Sequence, residues 1–227
     1  MAHPDNVIDP RPFFDLGHQG DVDRTQIALL LKMTPTRRLR HHEGWRPLLT
    51  RWQGMPNFLE ETVVRLSQHQ VEYVIVGGVS AVLQGAPIVT RDLDICYRRT
   101  PENIARLVAA FAPLNPRLRN CPPELPFVFD ERTLQLGSNF TLEIESESLD
   151  LLGEMSGLGG YDQIISETKE VQIGVMPVKV LSLTQLIITK EAAGRLKDHA
   201  VLPLIKATLE LQQQHAPSPD DSSPSHS

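Results

Sequence analysis

The sequence predicts an α/β fold, a small mixed sheet backed by helices. Three observations carry this. The run Val71 to Val76 (VEYVIV) is apolar enough for burial on both faces and reads as a central strand. Helical spacing flanks it, from Phe58 to about Gln70 before it and at Ile104, Leu107, Val108 and Phe111 after it. Short strand-like runs bounded by turn residues then recur toward the C-terminus.

Taken in order, residues 1–23 show little periodicity and read as irregular. Gln26 to Lys32 predicts a short helix. Thr34 and Pro35 look like a helix start, with threonine as cap and proline in the first turn. Asn57 is expected to cap the helix that begins at Phe58. After the central strand come a turn at Gly77 and Gly78, a short helix of small residues and a second strand from Arg91 to Tyr97. Thr100 and Pro101 start the next helix, and Asn115 to Pro126 is a proline-rich connection. Strands are expected near Phe127–Phe129, Thr133–Leu136, Phe140–Glu145 and Leu149–Leu152. A glycine-rich loop and a short helix from Tyr161 follow, then the last strands within Val171 to Val180. Ser182 with Gln185 forms a capping box for a helix to about Ala193, which Gly194 should end. A final helix starts near Leu196. The polar, low-complexity tail HAPSPDDSSPSHS is expected to be disordered. Three regions result: a basic, partly helical extension (1–56), an α/β domain (57–212) and the tail (213–227).

Composition narrows the class. With 227 residues and 41% hydrophobic content the chain can bury a real core. Its two cysteines, Cys96 and Cys121, lack metal or redox spacing and suggest reduced thiols, so a cytoplasmic location is expected. No apolar run approaches the roughly 18 residues of a membrane span, and the opening residues lack the pattern of a signal peptide, so no membrane partner is expected. The eight histidines show no zinc-ligand spacing. Net charge is −6, unevenly spread: Arg24 to Pro56 carries seven basic residues and one acid, Glu43. This asymmetry predicts a docking arm. RNA, the acidic remainder of the same chain and a second copy are the candidate surfaces. Protein is favoured over RNA, because Trp45 and Trp52 would share one face of a helix and anchor it.

The chemistry gathers around Val71 to Tyr97. Asp92 and Asp94 are two apart on a strand, so both carboxylates point to one face. Neighbouring carboxylates repel, and a cation between them relieves this; hard oxygen ligands suit Mg²⁺. Gly77 and Gly78 sit where a strand turns into a helix. Without Cβ atoms their backbone can approach a ligand closely, and N–H groups at a helix start favour an anion. Alone, a Gly-Gly is usually a turn and an Asp-x-Asp a solvated turn or cap. Together, in this order, they are the parts of phosphoryl or nucleotidyl transfer. Asp150, at the head of a short apolar run, is the best third carboxylate. Glu143, Glu145 and Glu147 compete with it, but their alternation fits a solvated strand face. Near the C-terminus Lys190, Arg195, Lys197 and Asp198 cluster at a helix break. They would either complement the helix end and form a surface ion pair, or bind triphosphate.

The pattern GG-x6-G-x4-T-x-DLDI, carried by Gly77, Gly78, Gly85, Thr90, Asp92, Leu93, Asp94 and Ile95, resembles the nucleotidyltransferases of the DNA polymerase β superfamily. Within it the likeness is greatest to small bacterial AbiEii-type, toxin-like proteins. It spans roughly Phe58 to Leu211 and is specific between Val74 and Ile95. The resemblance implies a minimal nucleotidyltransferase core that moves an NMP from an NTP to a hydroxyl acceptor on RNA, protein or a small molecule. It implies two Mg²⁺ ions, replaceable by Mn²⁺, on Asp92, Asp94 and Asp150. It implies triphosphate contacts from Gly77, Gly78 and Lys190, with Arg195, Lys197 and Asp198 beside them. Gly78 stands where many relatives have serine, so a hydroxyl contact would have to come from Ser80. Candidate partners are tRNA or another RNA, an antitoxin, and a second copy bound through the N-terminal extension. Two alternatives remain open: a non-catalytic nucleotide- or partner-binding module, and a tRNA-modifying toxin of a toxin–antitoxin pair.

Overall fold

In the computed structural model the chain is described at residues 22–44, 55–90, 92–122 and 127–214. The expected disordered tail from His215 onward and the tryptophans Trp45 and Trp52 lie outside these residues. The apolar run forms β1 (Tyr73–Val76), and the DLDI segment forms β2 (Asp92–Tyr97). They are antiparallel neighbours, joined through α4 (Gly77–Leu83). Later segments add β3 (Arg117–Leu118), β4 (Asn139–Ile144), β5 (Glu147–Leu152), β6 (Thr168–Ile173) and β7 (Met176–Leu181). All seven strands make one sheet in the order β3-β4-β5-β2-β1-β7-β6. β2–β5 and β1–β7 pair in parallel and the rest antiparallel, so the sheet is mixed, as the sequence predicts.

Alternation along the strands sorts the two faces. Ile75, Leu93, Ile95, Tyr97, Leu149, Leu151 and Leu142 point to one face. There they meet Leu59, Val63 and Leu66 of α3 (Met55–Gln68) and Ile104, Leu107 and Phe111 of α5 (Pro101–Phe111). This is the larger core. On the other face Val74, Val76 and Cys96 pack with Ala81 and Val82 of α4. Ile164 of the short α7 (Tyr161–Ile164), Leu183 and Leu186 of α8 (Leu183–Ala193) and Ile205 of α9 (Leu196–Gln214) close over them. This cover stops short of β4, where Asn139, Thr141 and Glu143 are exposed while Phe140, Leu142 and Ile144 are buried. The sheet therefore has one closed face and one half-open face.

Helix signals placed most elements. The Thr100 hydroxyl accepts from the Asn103 N–H to cap α5, and Ser182 accepts from the Gln185 N–H to cap α8. Gly194 ends α8 in the left-handed region at φ 60°. Three expectations are corrected. α3 begins at Met55, two residues before the expected cap, Asn57. Thr133–Leu136 is not a strand but part of α6 (Glu131–Leu136). The Asp130 carboxylate accepts from the Thr133 N–H at 2.8 Å, and this cap outweighs the strand-like alternation. Phe127–Phe129 forms no strand either, and β3 lies within what reads as a proline-rich connection.

The described part of the basic extension docks on the body of its own chain. It contains α1 (Arg24–Leu31) and α2 (Pro35–Gly44). Ile27 is fully buried against Ala207 and Leu211 of α9, and Arg24 pairs with Glu210 at 2.7 Å. Arg38 joins three segments: its guanidinium donates to the carbonyls of Leu30 and Leu31 at the end of α1 and of Leu83 at the end of α4. The Leu30 carbonyl also accepts from the Met33 N–H at 3.0 Å, whereas those of Leu31 and Leu83 sit at helix ends, where the last carbonyls have no intrahelical donor. Arg38→Met is expected to cost about 2–3 kcal/mol, because it leaves the Leu31 and Leu83 acceptors without the guanidinium. Urea denaturation of the full chain checks this.

Candidate active site

Cross-strand register assembles the acidic residues. Val76 on β1 pairs with Asp94 on β2, Asp94 with Asp150 on β5, and Asp150 with Thr141 on β4. Just past β3, Arg119 donates its backbone N–H to the Thr141 carbonyl at 2.9 Å. One row thus runs across the sheet through Asp94, Asp150, Thr141 and Arg119, and paired side chains share a face. Asp92 sits two residues before Asp94, opposite Ser148. The face is that of Val74, Val76 and Cys96, so the carboxylates lie where helical cover gives way to open sheet.

The Gly-Gly turn abuts this row. Gly77 has φ +62°, and a Cβ there would lie 2.0 Å from Asp94 Oδ2. A Cβ on Gly78 would lie 2.3 Å from Thr90 Oγ1. Both positions are free of side chains because β2 and the loop before it press against the turn. The turn backbone and the Asp94 carboxylate are consequently in direct contact.

The surroundings of Asp94 oppose its charged form. Burial, then the charges of Asp150 and Asp92, push its carboxyl up to about 7, against the pull of Lys190 and Lys197. Asp150 is also raised, first by burial, with Arg119 opposing. Sequence reasoning missed Arg119. Its Nη1 lies 2.6 Å from Asp92 Oδ1, and its Nη2 lies 2.9 Å from Asp150 Oδ1 and 3.2 Å from Oδ2. One guanidinium therefore bridges the outer two carboxylates.

The C-terminal cluster comes to the same place. Asp198, 1% exposed, accepts from Lys190 Nζ at 2.9 Å and from Arg195 Nε at 2.6 Å. Burial opposes its ionisation, but these two cations outweigh it and hold the carboxyl below its ordinary range. Lys190 and Lys197 act on Asp94, and Arg195 feels both Asp94 and Asp150. Asp198 thus anchors a positive rim beside the acids. Ser80 goes elsewhere: it is fully buried, and its hydroxyl donates to the Leu181 carbonyl on β7 at 2.7 Å. The hydroxyl contact that it was expected to supply is directed away from the turn.

The donor set suits a divalent cation. Three carboxylates on adjacent strands offer hard oxygen atoms, and a positive charge already lies between two of them. As the side chains stand, no three His, Cys, Asp or Glu residues among the described residues converge closely enough to hold a metal. The Arg119 guanidinium lies between Asp92 and Asp150.

The metal-free charge pattern has a pH consequence. Asp94 titrates near 3.8 when unstrained and near 7 when folded. Between those values the folded chain keeps a proton that the unfolded chain has lost, so stability falls as pH rises through this window. Asp94→Asn should remove that part of the fall, a difference of the order of 3 kcal/mol at neutral pH. Thermal denaturation in EDTA at a series of pH values, wild type against variant, measures it.

Residues 57–151 match the model of a nucleotidyltransferase family of unknown function. That segment is less than half of the chain, but it holds the Gly-Gly turn and all three acids. Lys190, Arg195, Lys197 and Asp198 fall beyond it. No curated protein sequence matches the chain. Among solved structures, a Thermotoga maritima protein assigned as a nucleotidyltransferase is 18% identical with a TM-score of 0.44, covering 70% of this chain and 92% of its own. ANT(2″)-Ia in complex with adenylyl-2″-tobramycin is 16% identical with a TM-score of 0.48, covering 70% and 91%. A solution structure of the same antibiotic-resistance factor is 15% identical with a TM-score of 0.48, covering 70% and 84%. At these levels the likenesses carry no argument about substrate. No helix among the described residues is long and apolar enough to cross a membrane.

Proposed function

We propose that the chain is a metal-dependent nucleotidyltransferase that moves an NMP from an NTP to a hydroxyl acceptor. One observation carries the reading: the Gly77–Gly78 turn lies against Asp94, in register with Asp150, inside the segment that matches a nucleotidyltransferase family. Backbone N–H groups at such a turn suit phosphate oxygens. Asp92, Asp94 and Asp150 would hold Mg²⁺ or Mn²⁺. When bound, the metal supplies charge stabilisation at the attacking and leaving oxygens. The acceptor oxygen forms its bond to the α-phosphorus as the bond to the β-phosphate oxygen breaks, and pyrophosphate leaves. Asp150, whose carboxyl is raised above its ordinary range, would accept the acceptor's proton. Lys190, anchored on Asp198, would face the triphosphate charge with Lys197 and Arg195.

The rival reading is a nucleotide-binding module that catalyses nothing. Arg119 favours it, because its guanidinium pairs with both Asp92 and Asp150. NTP binding without turnover would identify the module. The test is to incubate the protein with labelled NTPs, Mg²⁺ and separate pools of cellular RNA, protein and small molecules. The enzyme labels one pool, which names the acceptor class; the module labels none.

A further inference from the structure

Among the described residues, Arg119 is the cation in direct contact with the acidic row. Lys190 and Arg195 are engaged with Asp198, and Lys197 acts on Asp94 and Asp150 only through its field. Arg119 is also well placed to hold its ground. Its side chain is 21% exposed and Asp150 is 14% exposed, so the pair is shielded from bulk water. Its backbone N–H is tied to the Thr141 carbonyl, so the guanidinium reaches the acids from a fixed point at the edge of β4. The planar fork spans two carboxylates on different strands, which a lysine point charge does not do.

We propose that Arg119 makes metal binding conditional on the nucleotide. This rests on the nucleotidyltransferase reading above. With no ligand present, the guanidinium holds the position between Asp92 and Asp150. A free divalent ion must break both ion pairs and leave a half-buried guanidinium without acceptors, which is costly. A metal–NTP complex brings phosphate oxygens as well. These offer Arg119 bidentate acceptors equivalent to those it gives up. Metal and nucleotide therefore strengthen each other's binding, and by linkage the effect is reciprocal. Free Mg²⁺ alone does not arm the site, and specificity for the metal–nucleotide complex is built into one residue.

The test is Mn²⁺ titration of the full chain by electron paramagnetic resonance, with and without a non-hydrolysable NTP analogue. Wild type should bind Mn²⁺ weakly alone and about tenfold or more tightly with the analogue. Arg119→Gln should bind free Mn²⁺ about tenfold more tightly than wild type and show little further gain from the analogue. Arg119→Lys, which keeps the charge and loses the fork, should fall between them. It also serves as the readout if the glutamine variant does not fold, as judged by circular dichroism. Equal free-Mn²⁺ affinity in wild type and the folded variants overturns the inference and leaves the metal site standing. Absence of Mn²⁺ binding in all forms, even with the analogue, overturns the nucleotidyltransferase reading and this inference with it.

Discussion

Asp94→Asn is expected to lower nucleotidyl transfer by about a thousandfold or more while leaving the chain folded, because a metal ligand supplies several kcal/mol at the reacting phosphorus. The same change relieves repulsion. Asp94 is pushed up to about 7 by burial and by two neighbouring carboxylates, so the amide should raise metal-free stability at neutral pH. A variant that is more stable and inactive is the signature of a side chain kept for chemistry. Asp92→Asn should differ. It removes an ion pair with Arg119 at 2.6 Å, so its gain from lost repulsion is offset. Parallel denaturation and single-turnover measurements on the two variants separate these effects.

Gly77→Ala should be the most damaging small substitution in the turn. The residue sits at φ +62°, which costs an L side chain about 1 kcal/mol, and its Cβ would come within 2.0 Å of Asp94 Oδ2. We expect a loss of about 2–4 kcal/mol together with loss of transfer activity, because the carboxylate must leave the row. The cause is separable. In an Asp94→Gly background the clash is gone, and the cost should shrink to the backbone strain alone, measured as a non-additive double-mutant cycle. Gly78→Val is a less clean probe of phosphate contact, since its Cβ would first meet Thr90.

Local structural signals were legible in the sequence; long-range placement was not. The Gly-Gly turn, the DLDI strand and the caps at Thr100 and Ser182 are local signals, and each lies where the residues predict it. Asp150 was accessible because an acid heading an apolar run needs a reason. Arg119 had no such mark. It is one of two arginines in a proline-rich connection, just past a two-residue strand, and its meaning arises only when β4 and β5 bring it into one row with Asp150. Ser80 shows the converse. Its sequence position suggested phosphate, but the half-turn of helix after Gly78 rotates its hydroxyl toward Leu181. The helix Glu131–Leu136 was misread because TLQL alternates like a strand, although Asp130 three residues before Thr133 is the cap that decides it. The basic extension was read as a docking arm, and its described part docks through Ile27, Arg24 and Arg38 on its own chain.

Transfer of a nucleoside monophosphate at the acidic row would fix where each phosphate of the NTP ends up. The direct measurement is a paired incubation with α-labelled and γ-labelled NTP, in Mg²⁺ and in EDTA, for wild type and Asp92→Asn. The expected result is covalent α-label on the acceptor, γ-label released in pyrophosphate, and neither event in EDTA or in the variant. Label from the γ-position on the acceptor, or α-label that persists in Asp92→Asn, would contradict it.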